Sequence, residues 1–247
     1  MDIQLFAIFS QCLNRSISVH VAVPDVPSGK WLLLLHGYGG NEQEWITKSP
    51  IVELAQAMGL VLVAPACSDG YYEDTVEPIG QFLAEELVPF VQTRFPISSK
   101  QEDTWIAGAS MGGFGSLLIG ARYSRIFGKI AAFGGAFIVH DICIGNPAIV
   151  GNGDIRYFQR VFGDFFTLEG SDRDPLTHVQ NALEDQSMAP VWLLCGEADP
   201  LYRSNERMYN TLVHMGASVE LVRIPGGHSW DVWSPYTGTM LRWLDCR

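Results

Sequence analysis

The chain has 247 residues, 47% of them hydrophobic, with 27 acidic against 16 basic side chains and a formal net charge of −11. That is enough apolar material for a sizeable core, and no repeat, low-complexity run or linker-like stretch divides it, so one domain over residues 1–247 is expected. The acidic balance excludes a surface built to hold nucleic acid or an anionic membrane, which needs clustered Lys and Arg; a small neutral or cationic molecule fits better.

In chain order, Met1 to Ser10 is acidic where a signal peptide is basic and too short in apolar length, so it reads as a first strand. No run of about 18 apolar residues follows anywhere, which predicts a soluble, cytoplasmic protein without a membrane span. Residues 16–23 alternate polar and apolar, as in a half-buried edge strand. Trp31–Leu35, Leu60–Ala64, Thr104–Ala107, Lys129–Phe133 and Val191–Cys195 are instead continuously apolar. Strands of that kind are covered on both faces, which implies a mostly parallel sheet. Helical stretches are expected at about 50–58, 76–93, 112–123 and 203–215, with a last strand at Ser218–Ile224 and a last helix at about 231–244. The alternation defines an α/β class with helices on both faces. One interval, about 135–190, is longer than a crossover needs; it holds Pro147, Gly151, Asn152, Gly153 and the aromatic-rich Tyr157–Phe166, and is either a packed excursion or a wall of the pocket.

Five cysteines, Cys12, Cys67, Cys143, Cys195 and Cys246, are widely spaced without Cys-x-x-Cys. They suit neither a disulfide framework nor a zinc site, so no metal and no cofactor are expected.

In such a sheet ligands gather at the carboxyl ends of the strands, so reactive residues just beyond those ends matter most. Ser110 lies in Gly108-Ala109-Ser110-Met111-Gly112, a Gly-x-Ser-x-Gly pattern that puts a serine in a sharp strand-to-helix turn. Asp199 follows the strand ending at Cys195, and His228 follows the one ending at Ile224. Serine, acid and histidine in that order suit acyl transfer: His228 accepts the serine proton and returns it to the leaving group, while Asp199 fixes the imidazole tautomer. Glu197 is the fallback acid; Asp231 reads as a capping residue of the last helix, and His36 as an organiser of its loop. His20, His140, His178 and His214 show no ligand spacing. Two backbone amides are the expected donors to a developing oxyanion: Met111, after the serine, and Tyr38, in the glycine-rich loop His36–Gly40. Trp45 and Trp230 adjoin these motifs and are candidate pocket residues, with ordinary core packing as the alternative.

With His36-Gly37-Tyr38-Gly39-Gly40-Asn41-Glu42-Gln43-Glu44-Trp45, Glu85–Pro89, Gly108–Gly113, Gly196–Asp199 and Gly227–Trp233, the chain resembles the esterase D-like, or "putative esterase", branch of the α/β-hydrolases, most of all small bacterial tributyrin-type esterases. The resemblance covers about residues 17–245. It implies the α/β-hydrolase fold, a triad of Ser110, Asp199 and His228, and oxyanion donors at Tyr38 and Met111. It also implies an activity among short-chain carboxylesterases, acetyl and feruloyl esterases, S-formylglutathione hydrolases, siderophore esterases and acyltransferases. Relatives often carry Leu before the nucleophile, where this chain has Ala109. The expectation is a metal-free serine carboxylesterase acting on a small ester, for example an acetyl group on a sugar, with a thioesterase, an acyltransferase or a non-catalytic binding module as alternatives. A homo-oligomer is compatible with the sequence.

Overall fold

The computed structural model describes residues 1–150 and 155–246. Its frame is one eight-stranded sheet in the order β1-β2-β4-β3-β5-β6-β7-β8. The strands are β1 (Asp2–Ser10), β2 (Arg15–Val23), β3 (Trp31–Leu35), β4 (Val61–Pro65), β5 (Thr104–Ala109), β6 (Lys129–Phe133), β7 (Val191–Gly196) and β8 (Val219–Ile224). Strands β3 to β8 run parallel, while β1 and β2 add an antiparallel pair at one side. The alternating segment expected at the edge is therefore the second strand in. The N-terminal β1 pairs outside it and carries the exposed Ile3, Leu5 and Phe9.

The apolar runs do what their composition requires. Every residue of β3, β4, β5 and β7 is buried, and alternate side chains feed two separate cores. Leu33, Leu35 and Ile106 point into one, Leu32, Leu34 and Trp105 into the other.

The helices are α1 (Glu44–Lys48), α2 (Ile51–Met58), α3 (Ile79–Gln81), α4 (Val88–Arg94), α5 (Met111–Arg122), α6 (Val139–Cys143), α7 (Pro147–Val150), α8 (Ile155–Phe162), α9 (Pro175–Glu184), α10 (Tyr202–His214), α11 (Trp230–Trp233) and α12 (Thr237–Asp245). A π-helical stretch, Phe82–Leu87, joins α3 to α4, so the expected helix at 76–93 is one continuous helical segment. The first core takes Phe82, Leu83 and Leu87 from that segment and Phe114, Leu117 and Leu118 from α5. The second takes Ile51 and Ala55 from α2 and Met240, Leu241 and Leu244 from α12. The last helix is broken: a 3-10 turn, Ser234–Tyr236, separates α11 from α12, and Pro235 within it lacks the N–H that an unbroken helix would use. The interval 135–190 contains α6 to α9, of which α9 packs on α5 as an ordinary crossover helix; Gly151, Asn152 and Gly153 lie outside the described residues. Among the described residues no helix is long and apolar enough to cross a membrane.

Candidate active site

Ser110 stands between β5 and α5 with φ 56° and ψ −115°, a left-handed conformation that strains any residue but glycine. Its neighbours explain how the turn closes. A β-carbon on Gly108 would overlap the Gly112 carbonyl, and one on Gly112 would overlap the Leu35 carbonyl of β3. The two glycines of the motif are thus required by helix-on-strand contact. The turn is pinned by Ser110 N–H donating to the Phe133 carbonyl (2.8 Å) and Ala136 N–H donating to the Ser110 carbonyl (2.9 Å).

The loops after β7 and β8 bring two further residues to this serine. His228 Nε2 lies 2.8 Å from Ser110 Oγ, and its Nδ1 lies 2.7 Å from Asp199 Oδ2. The Asp199 side chain is fully buried, and its other oxygen accepts the Leu201 N–H at 2.7 Å, so the carboxylate has no freedom to turn away. Held through Nδ1, the imidazole presents Nε2 to the hydroxyl, the arrangement in which a proton passes from oxygen to nitrogen. Trp233 of α11 packs edge-on beneath the ring at 4.7 Å between centroids. Gly134, after β6, allows this approach: a β-carbon there would meet Trp233 at 2.8 Å and stand 3.0 Å from Asp199 Oδ2. The two other acids stay apart. Glu197 and Asp231 are both exposed, Asp231 in the first turn of α11.

The loop His36–Gly40 runs close over the serine: a β-carbon on Gly37 would lie 3.5 Å from Ser110 Cβ. His36 is buried and organises the loop. Its Nε2 lies 3.0 Å from the Cys67 amide nitrogen and 2.9 Å from the Cys67 carbonyl, and its Nδ1 lies 2.7 Å from the Gly37 carbonyl. Tyr72 O–H donates to the His36 carbonyl (2.9 Å), and Gly39 N–H donates to Asp69 Oδ1 (2.8 Å). Among the described residues, the Tyr38 and Met111 amides have no hydrogen-bond partner within the protein. The Tyr38 ring is 61% exposed and meets Tyr157 of α8 edge-on at 5.5 Å, so the long interval supplies one flank of this region. Tyr157 O–H is anchored on the Asp69 carbonyl at 2.5 Å.

The two tryptophans separate. Trp45 is a correction: it is 1% exposed, donates its indole N–H to the Leu35 carbonyl (3.0 Å) and packs on Phe133, so it is a core residue under the loop with no face for a ligand. Trp230 is half-buried on top of it, 4.8 Å between centroids.

Sequence reasoning passed over Glu44, which belongs to the His36–Trp45 motif yet had no role. One of its oxygens accepts the Gly37 N–H at 2.7 Å and the other accepts the Trp230 indole N–H at 3.0 Å. Only folding shows that two donors distant in sequence converge on it. A concavity of about 580 Å³ between Lys30, Lys100, Trp105, Lys129 and Asp245 opens at the opposite, N-terminal ends of β3, β5 and β6 and is remote from Ser110.

The family model described as "Putative esterase" matches residues 10–244. The chain belongs to that family. It is an esterase acting on carboxylic ester bonds, built on the α/β-hydrolase fold. Over 262 aligned positions it is 32% identical to an acetyl esterase of Caldicellulosiruptor saccharolyticus, covering 99% of this chain and 98% of that protein. Among solved structures, the esterase superposes on a substrate-bound, fluorophosphonate-binding serine hydrolase of Staphylococcus aureus with a TM-score of 0.89, at 21% identity and covering 100% and 99% of the two chains. An S-formylglutathione hydrolase of the same organism follows at 0.86, also 21% identical, with 98% of each chain covered. At that identity both likenesses speak for the fold.

Proposed function

We propose that the esterase hydrolyses short-chain acyl esters, acetyl esters of small alcohols and sugars above all, through an acyl intermediate on Ser110. The observation that carries this reading is the unbroken chain of hydrogen bonds Ser110–His228–Asp199 beside two unpartnered amides. His228 Nε2 takes the Ser110 proton as Oγ bonds to the acyl carbon, and the amides of Tyr38 and Met111 receive the resulting oxyanion. Met111 also opens α5, whose dipole favours negative charge there. Collapse breaks the ester C–O bond and the imidazolium returns its proton to the departing alcohol. Water then repeats the sequence on the acyl-serine, releasing the acid and restoring the hydroxyl.

The 32% identity to an acetyl esterase over nearly the full chain supports the acetyl group as acyl part. The exposed Tyr38 ring and Tyr157 behind it support a wall on the alcohol side, made in part by α8 of the long interval.

Ser110→Ala tests the assignment. Turnover of p-nitrophenyl acetate should fall at least about 10⁴-fold, as expected when an acyl-enzyme nucleophile is lost, while the unfolding curve stays that of a folded protein. Activity within tenfold of the parent would sink the reading. A panel of esters of increasing acyl length, with acetylated sugars and a thioester, then defines the substrate.

A further inference from the structure

We infer that Glu44 is a positioning residue of the active site, the tie that sets the distance between the oxyanion loop and the histidine loop. The inference rests on the proposed roles of Tyr38 and His228. Glu44 is the first residue of α1, and its side chain is only 11% exposed. Its Oε2 accepts the N–H of Gly37, directly before Tyr38, and its Oε1 accepts the indole N–H of Trp230, two residues after His228.

These two loops follow β3 and β8, which are not neighbours in the sheet. No ladder hydrogen bond therefore fixes their separation, and Glu44 bridges them with one rigid carboxylate. The group suits the task because both incoming partners are donors. A carboxylate accepts at both oxygens, whereas an amide would set its NH2 against one of the N–H groups. Hydrogen bonds to a carboxylate are also about twice as strong as neutral ones. Lys48 Nζ, one turn on and 3.6 Å from Oε1, partly balances the charge. Gly40 is shaped to the same end: a β-carbon there would stand 2.8 Å from Glu44 Oε2 and push the carboxylate off Gly37.

Displacing a catalytic group by about 1 Å costs up to about 100-fold in rate, so losing this tie should appear in kcat rather than in substrate binding. The test compares the parent with Glu44→Gln, Glu44→Ala and Trp230→Phe, which keeps the aromatic contact and removes only the N–H. For each, kcat and KM on p-nitrophenyl acetate, the inhibition constant of an alkylboronic acid as a tetrahedral-adduct mimic, and the melting temperature are measured. Glu44→Gln should lower kcat about tenfold with KM within twofold, Glu44→Ala should lower it further, and boronic acid affinity should fall in the same proportion. Combining Glu44→Gln with Trp230→Phe should cost less than the product of the two single losses, because both break one bond. If Glu44→Ala does not fold, the isosteric Gln variant and Trp230→Phe decide. An unchanged kcat in both overturns the proposal, as does a fall in kcat that leaves boronic acid affinity at the parent value. Failure of the nucleophile assignment would read out separately, as persistent turnover in Ser110→Ala.

Discussion

At the scale of single residues, the esterase concentrates unfavourable conformations and charges where its loops turn. Among the described residues Ser110 is one of five non-glycine residues with positive φ, and Tyr71 and Tyr72 are a consecutive pair. That pair buries the next residue: Glu73 is 2% exposed, its Oε1 has no hydrogen-bond partner, and burial pushes its carboxyl up to about 8, Arg122 offsetting only part of the effect. The consequence has a definite sign. Between the ordinary value of 4.5 and about 8 the folded chain keeps a proton that the unfolded chain has released, so stability falls as pH rises through that window and levels off above it. Glu73→Gln abolishes this titration. Its urea midpoint should exceed that of the parent at pH 8, and the two should converge at pH 4; equal differences at both values would refute the account.

Among the elements, a buried carboxylate helps to fasten the interval between β6 and β7 to the α/β frame. Asp141 on α6 is 1% exposed, accepts from Ser204 (2.8 Å) and from both terminal nitrogens of Arg207 (2.9 and 3.3 Å) on α10, and takes a further bond from Asn146 (2.8 Å). Burial works against its charge, but Arg207, Asn146 and Ser204 together hold the carboxyl below its usual 3.8. A depressed carboxyl stabilises the fold above its unfolded value, and that contribution disappears as pH falls through the folded one. Asp141→Ala leaves the half-exposed Arg207 without its counter-ion and should lower the urea midpoint at pH 7, with the gap narrowing as pH falls below the ordinary value of 3.8. A gap independent of pH would show that packing, not charge, holds α6 in place.

Across the whole molecule, the charge of −11 acts on substrates before any contact does. A net negative charge of this size sets an unfavourable field for an anionic ester and none for a neutral one. Raising ionic strength from about 0.01 M to about 0.15 M shortens the screening length from about 30 Å to about 8 Å. Over that range kcat/KM for a p-nitrophenyl ester bearing a free carboxylate should rise, and that for p-nitrophenyl acetate should stay constant; parallel behaviour of the two would exclude such steering. The sequence by itself determined the parallel sheet and the order Ser110, Asp199, His228 at strand ends, because continuous apolar runs and glycine-flanked turns are local patterns with few structural solutions. It also determined the loop that carries Tyr38, since glycines at strand ends announce tight turns. It put residues 16–23 at the edge where β1 in fact lies outside them, left Trp45 open between pocket and core, and gave no sign of the break at Pro235, since strand order and burial depend on what packs against a segment. The meeting of Gly37 and Trp230 on Glu44 was decided only by the tertiary structure. A hydrogen bond between residues 186 apart leaves no local pattern, and the same glutamate at the start of α1 would read from sequence as an ordinary first-turn acid.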